Sequence, residues 1–385
     1  MAYLSKSALV FRCGAYNTKT VARRYTYDPI FFALSLLLLG IGLFVLASAS
    51  LGLSILNFRN PYYYTLHQIF YGALPGLVLL GFFAQTPYRF WKKIALPLLL
   101  IAIGLMILVF VPGIGFAHGG AQRWISLGPI SFQPSEFLKF AFIIYLASWL
   151  ESRVRDIRSF TMGLLPFLIM SGFIASFLIK QPDIGTLVVL MMTAFALFTI
   201  SGATWRQIVA MVLLGGVLFG ILAIAEPYRL SRIITFLDPA RDPQGSGYQI
   251  RQALIAIGSG GLWGRGFALS RQKFSYLPEP MGDSIFAVAA EEIGFIGSTS
   301  IMLLFMLFYL RGIQIARSTT DLFGKFLATG LMLLIIVQSF VNIAAISGLG
   351  PLTGIPLPFI SYGGSALVFT LTEVGIILNI SKERA

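Results

Sequence analysis

Asp283 ends the run Leu277-Pro-Glu-Pro-Met-Gly-Asp283, where a polar stretch gives way to a long apolar one. A carboxylate at such a border can meet a membrane-anchored substrate from the aqueous side, and it can equally cap a helix. Glu136 and Lys139 stand at i and i+3 in Phe132-Gln-Pro-Ser-Glu-Phe-Leu-Lys139, on one face of a helix opened by Pro134. Their spacing suits a structural ion pair as well as a site. Asp183, directly after Pro182, suits the positive end of a helix dipole. Glu291, Glu292 and Glu373 interrupt apolar runs and must face the protein interior, a cavity or partner cations, with interhelical pairing as the default.

Other chemistries are excluded early. One cysteine, Cys13, allows no disulfide framework, and with only His67 and His118 no zinc site of the usual Cys/His kind can be assembled. The run Gly258-Ser-Gly-Gly-Leu-Trp-Gly-Arg-Gly266 lacks a preceding strand and a Lys-Ser/Thr ending, which removes nucleotide binding. The net charge of +13 comes from basic residues scattered between apolar runs, so it forms no nucleic-acid-binding stripe.

The elements that must position these residues follow from composition. Of 385 residues, 57% are apolar and 11% charged, and mean hydropathy is +0.84. Soluble proteins carry roughly 25% charged residues, so this chain reads as an all-α integral membrane protein. About 20 apolar residues cross about 30 Å of hydrocarbon. Ten such intervals are expected, at about 30–52, 67–84, 92–112, 134–150, 162–180, 184–201, 206–225, 284–310, 323–347 and 362–380.

The chain divides into a basic N-terminal tail (1–29), a polytopic membrane domain (30–380) and a short C-terminal tail (381–385). Placing the N-terminal tail in the cytoplasm puts seventeen basic residues on that side, including Lys92, Lys93, Arg153, Arg155, Arg158, Arg311 and Arg317. The positive-inside rule then sets both termini in the cytoplasm. One long extracytoplasmic loop, at about 226–283 between the seventh and eighth spans, carries Arg229, Arg232, Arg241, Arg251, Arg265, Arg271 and Lys273. Loops of this length usually work, and its Gly- and Pro-marked turns argue for defined structure.

Several segments resemble the shape, elongation, division and sporulation family of bacterial membrane proteins, to which RodA, FtsW and SpoVE belong. They are Gln122-Arg-Trp-Ile, Gln133 to Lys139, Gln181-Pro-Asp-Ile-Gly-Thr186, and Arg229 and Arg232 ahead of Phe236-Leu-Asp-Pro239. They continue with Gly247-Tyr-Gln through Gly261, Leu277 to Val288 with Glu291-Glu-Ile-Gly294, and Gly354 to Ser365. Gly282 stands where the family usually has Thr, and the first two dozen residues fall outside the pattern. The short tails point to the elongation branch of RodA over the septal branch of FtsW.

The resemblance implies a glycosyltransferase that polymerises lipid II, the undecaprenyl-pyrophosphoryl disaccharide-pentapeptide, at the outer face of the bacterial cytoplasmic membrane. Its implied partner is a class B penicillin-binding protein that crosslinks the strands. Such chemistry needs a base near the attacking sugar hydroxyl and cations near the departing pyrophosphate. Asp283 is the candidate base of an inverting, single-displacement reaction. Arg123, Lys139, Arg229, Arg232, Arg265 and Lys273 are the candidate cations, and Glu136 joins Lys139 as a supporting residue. A divalent cation, Mg or Mn, could assist, although the sequence shows no dedicated metal cage. The rivals are a transporter that flips lipid II, whose site should lie near midplane, and a non-catalytic scaffold for the transpeptidase.

Overall fold

A computed structural model describes residues 27–383, except 114, 119–120, 128–129, 239–244 and 275. The tail cations Lys6, Arg12, Lys19, Arg23 and Arg24, together with Cys13, Pro239, Arg241 and Arg384, lie outside the described residues. The helices are α1 (Pro29–Ala49), α2 (Leu51–Phe58), α3 (Tyr63–Gln68), α4 (Leu74–Gln85), α5 (Arg89–Leu108), α6 (Pro134–Ser152) and α7 (Leu165–Lys180). They continue as α8 (Ile184–Ile200), α9 (Trp205–Ala225), α10 (Pro227–Leu237), α11 (Ser246–Ser259), α12 (Ile285–Ser318), α13 (Leu322–Ile346) and α14 (Gly364–Ser381). π-helical turns at Ile69–Ala73 and Phe160–Leu164 precede α4 and α7.

Every interval expected to span holds a helix, and eight of the described helical segments are long and apolar enough to cross a membrane. The other two differ for evident reasons: α8 has 17 residues, and α6 carries Glu136, Lys139 and Glu151. Burial orders the bundle. In their most apolar windows α13 and α14 are 72% and 78% buried, whereas α9 is 11% buried and stands at the rim. Helices in lipid gain no hydrophobic advantage from meeting each other and rely on close packing. Small residues supply it where α4 meets α14: a Cβ on Gly76 would fall 2.5 Å from Leu371, and one on Gly375 2.6 Å from the Leu80 carbonyl.

The two ends of the bundle are chemically distinct. At one end Asp28 caps α1 through Phe31 N (2.7 Å), binds the Arg311 guanidinium (2.7 Å) and donates its own N–H to Ser381 Oγ (3.0 Å). Both ends of the described chain therefore meet there. At the opposite end lie the start of α12, with Asp283, and the end of α13.

Two features depart from the expected loops. Three strands, β1 (Gly115–His118), β2 (Ala121–Leu127) and β3 (Ile130–Phe132), form an antiparallel sheet in the order β1-β2-β3. The stretch at about 226–283 is also not a plain loop, because α10 and α11 occupy much of it. In α10 the apolar Leu230, Ile233, Ile234 and Leu237 alternate at helical spacing with Arg229 and Arg232, the pattern of an interfacial helix.

Candidate active site

Asp283 sits two residues before α12, on a turn closed by Gly282 N donating to Glu279 O (3.0 Å). Ser284 occupies the N-cap position, so the carboxyl of Asp283 is not spent on capping. Instead Gln249 Nε2, from α11, donates to both of its oxygens at 3.2 and 3.3 Å and to Ser284 Oγ at 3.1 Å. Asn342, near the end of α13, donates through Nδ2 to the Asp283 carbonyl (2.9 Å) and to the Ile355 carbonyl (2.8 Å).

The segment leading to Asp283 is also stitched to the loop before α14. Ser361 Oγ donates to Gly282 O (2.7 Å), and Tyr362 N donates to Met281 O (2.8 Å). Two stretches nearly eighty residues apart, both singled out in the sequence, are thereby joined backbone to backbone. Burial and the neighbouring Glu279 carboxylate push the Asp283 carboxyl up to about 6, against the opposing pull of Gln249 and Arg232. Such a carboxyl is ionised near neutrality yet holds a proton more readily than an ordinary Asp.

A cavity of about 370 Å³ is walled in part by residues on either side of Asn342, although neither Asp283 nor Gln249 lines it. Its walls are mainly apolar, from Phe219, Leu222, Phe340 and Val341, and Arg123, Arg229 and Arg232 line it as well. Each arginine is held by backbone carbonyls. Arg123 donates to Pro182 O and Gln181 O, Arg229 to Leu222 O (3.4 Å), and Arg232 to Leu352 O (2.9 Å). A guanidinium has five donors, so the carbonyl bonds of Arg123 and Arg229 do not exhaust theirs. Leu352 lies three residues from Ile355, the partner of Asn342, which ties the cavity wall to the Asp283 turn.

The remaining residues expected at a site are placed elsewhere. Glu136 and Lys139 form a buried ion pair (2.9 Å), and Lys139 also donates to Gln338 Oε1 (2.6 Å), whose amide reaches Pro356 O (2.9 Å). Glu373 is buried near the same pair. Asp183 caps α8 through Thr186 N (3.2 Å) and accepts Ser135 Oγ (3.2 Å).

Lys273 needs correction as a pyrophosphate ligand, and Arg265, though exposed, does not line the cavity. Lys273 has its side chain wholly buried, bonded to Glu292 (2.7 Å) and Ser48 (2.9 Å), so it neutralises a buried carboxylate and is out of reach of a ligand. Arg265 lies 3.5 Å from Glu291, which also accepts from Ser270 Oγ (2.5 Å) and Arg271 N (3.1 Å). These bonds follow a break in α12 at Gly294, whose φ of 68° no β-branched or bulky residue adopts easily. There the carbonyls of Glu291 and Glu292 accept Arg265 N and Gly266 N (both 3.0 Å) in place of helical partners.

Gln249 and Asn342 were absent from the residues expected at the site. Gln249 ends the motif Gly247-Tyr-Gln, so a signal was present; Asn342 lies in an apolar run, where a lone amide was the only sign. Among the described residues no cluster of three or more His, Cys, Asp or Glu could hold a metal ion. Asp283 with Glu279 does not make a protein cage for Mg or Mn.

Fold and site together define a multi-pass helical membrane protein. Residues 29–385 match the family described as cell cycle protein, FtsW, RodA and SpoVE, and the chain belongs to it. It is 41% identical to stage V sporulation protein E of Bacillus subtilis, over 92% of this chain and 97% of that one. It is 39% identical to a probable peptidoglycan glycosyltransferase FtsW of Geobacter sulfurreducens, over 95% and 97%. Among solved structures it resembles a chain from work on the coordination of polymerization and crosslinking by a peptidoglycan synthase complex (TM-score 0.78, 28% identity, 93% and 98% covered). It also resembles the rod shape determining protein RodA of Thermus thermophilus (TM-score 0.67, 26% identity, 93% and 97% covered).

Proposed function

We propose that this protein is a peptidoglycan glycosyltransferase that polymerises lipid II at the outer face of the bacterial cytoplasmic membrane, with both termini in the cytoplasm. The observation that carries the reading is the Asp283 carboxyl, held by Gln249 at the edge of the bundle and joined through Asn342 and the loop at 352–355 to an apolar cavity whose walls include three arginines. The apolar walls suit a polyprenyl chain, and guanidinium groups suit pyrophosphate oxygens.

In the proposed reaction the sugar 4-hydroxyl of one substrate attacks the anomeric carbon of the other. Its proton passes to Asp283 as the new C–O bond forms. The bond from the anomeric carbon to the pyrophosphate breaks, and the electron pair leaves on a phosphate oxygen facing Arg123, Arg229 or Arg232. A single displacement inverts the anomeric carbon and needs no covalent enzyme intermediate. The Glu136–Lys139 pair, joined through Gln338 to Pro356, supports the loop that carries Ser361.

Similar proteins include one named for sporulation and one for rod shape, so the proposal concerns the polymerisation chemistry and not a stage of growth. A class B penicillin-binding protein is the proposed partner, in keeping with the complex to which one similar structure belongs. The test is reconstitution into liposomes with labelled lipid II, comparing the parent with Asp283→Asn. Polymer from the parent and none from a folded variant supports the reading. Equal polymer from both removes Asp283 as the base, and lipid movement without polymer points to a transporter.

A further inference from the structure

Six rings run in series from the Asp283 turn across the same end of the bundle. Tyr362, whose N–H holds Met281 O, meets Tyr64 edge to face at 5.4 Å, and its hydroxyl lies 3.0 Å from His67 Nδ1. His67 in turn lies 4.6 Å from Tyr71 and 6.2 Å from Tyr63. Tyr63 stacks on Phe58 at 3.6 Å. Burial pushes the Tyr362 phenol up to about 12, so it keeps its proton, and its hydrogen-bonding capacity, at any physiological pH.

The array is tied to the loop before α14. Gln68, at the end of α3, accepts Gly363 N (3.0 Å) and donates to Ser361 O (3.4 Å), which clamps α3 to the loop that carries Tyr362. The π-helical turn at Ile69–Ala73 re-aims α3 relative to α4, and such turns recur at functional sites. Polar groups edge the rings: Asn57 Nδ2 donates to Tyr64 OH (3.1 Å), and Arg59 is exposed beside it. A membrane-interface belt would explain tyrosines at this depth. It gives no reason for the hydrogen-bonded coupling of the rings to the turn that holds Asp283.

We infer that the aromatic array of Phe58, Tyr63, Tyr64, His67 and Tyr362 is a saccharide subsite that holds the β-linked glycan strand as it leaves Asp283. Pyranose rings in β-linkage present flat faces of C–H bonds, which pack on aromatic faces, and rims of hydroxyl and acetamido groups, which bond to amides, phenols and imidazole. This inference rests on the polymerase reading. Holding product against dissociation lengthens each strand, so the subsite acts on chain length.

The test uses the full-length protein in liposomes with labelled lipid II, comparing glycan lengths at matched substrate conversion. Tyr63→Leu/Tyr64→Leu keeps apolar bulk for the membrane but loses the flat faces, and Tyr63→Phe/Tyr64→Phe keeps the faces. Mean length should fall at least threefold in the Leu variant and stay within a factor of 1.5 in the Phe variant. A length distribution in the folded Leu variant that matches the parent overturns the inference and assigns the rings to the membrane belt. Saturation transfer from the protein to chitotetraose, a soluble β-linked acetamido-sugar probe, is the second readout. Transfer should be present in the parent and lost in the Leu variant, and its absence from the parent also overturns the subsite. A parent that makes no polymer sinks the polymerase reading instead, while chitotetraose binding still decides the subsite.

Discussion

Replacing Asp283 by Asn separates what this carboxyl does for chemistry from what it costs the fold. Burial and Glu279 raise it from 3.8 to about 6, so at pH 8 the ionised form is disfavoured in the folded protein relative to the unfolded chain. A shift of that size corresponds to about 3 kcal/mol at most, and because Asp283 is partly exposed, solvent screening lowers it to about 1–2 kcal/mol. The sign is that of a raised carboxyl: its contribution to stability is complete below the unfolded value and is lost as pH climbs through the folded one. Asn carries no charge at any pH and keeps a similar shape. The variant should therefore melt above the parent at pH 8, with the gap narrowing by roughly half at pH 5, where the parent's carboxyl is mostly protonated in the fold. Loss of a general base typically costs about 10²–10⁴ in rate, so the same variant should make essentially no polymer. Thermal unfolding in detergent at the two pH values, beside polymerisation of labelled lipid II, reads both effects. A variant less stable than the parent at pH 8 would refute the picture of a carboxylate held ionised against its surroundings, whatever happens to activity.

Other expectations are narrower. Polymerisation by the parent should rise with pH along a limb centred near 6 and fall about tenfold per unit below it, because the base must be ionised; a pH–rate profile on single-turnover kinetics checks this. Gln249→Leu removes a hydrogen bond that favours the ionised form, so that limb should move to higher pH, and an unmoved limb would separate Gln249 from the base. Lys273→Met strands the buried Glu292 carboxylate and should cost about 3–5 kcal/mol, whereas adding Glu292→Gln should recover much of it; melting temperatures of the single and double variants test the pairing. Arg229→Ala with Arg232→Ala should raise KM for lipid II more than tenfold while the fold persists, read by steady-state kinetics and circular dichroism.

The bundle was legible because its signal is collective: twenty apolar residues in a row have few physical solutions, and each expected interval does hold a helix. The sheet of β1, β2 and β3 was not. β1 and β3, of four and three residues, leave no alternation long enough to count, and the seven residues of β2, Ala-Gln-Arg-Trp-Ile-Ser-Leu, do not strictly alternate. The candidate site was legible in part. Asp283 was singled out as a candidate by standing where polar meets apolar, and Asp183 and the Glu136–Lys139 pair act locally, within one helix or its cap. Lys273 and Arg265 could not be sorted the same way. Their carboxylate partners lie 19 and 26 residues on, across a turn-rich segment, and a pairing at that separation belongs to tertiary structure.

The break at Gly294 connects these observations. A straight α12 would bond the carbonyls of Glu291 and Glu292 to its own next turn; the break leaves them for Arg265 N and Gly266 N, and the two carboxyl groups collect Lys273, Ser270 and Arg271 from the same segment. That segment ends in the turn at Glu279 and Gly282 which presents Asp283. A carboxyl left ionised at a membrane border destabilises whatever holds it, so it needs a support that does not relax to bury or neutralise it. Filling Gly294 should disturb that support before it disturbs the bundle. Gly264 N lies 2.2 Å from where a Cβ on Gly294 would stand, and it is backbone that cannot swing aside. Gly294→Ala should therefore lose polymer formation and gain hydrogen exchange across 258–283 while the exchange of α13 and α14 stays protected. Uniform loosening of all three regions would mean that the break serves the packing of the bundle and not the posture of Asp283.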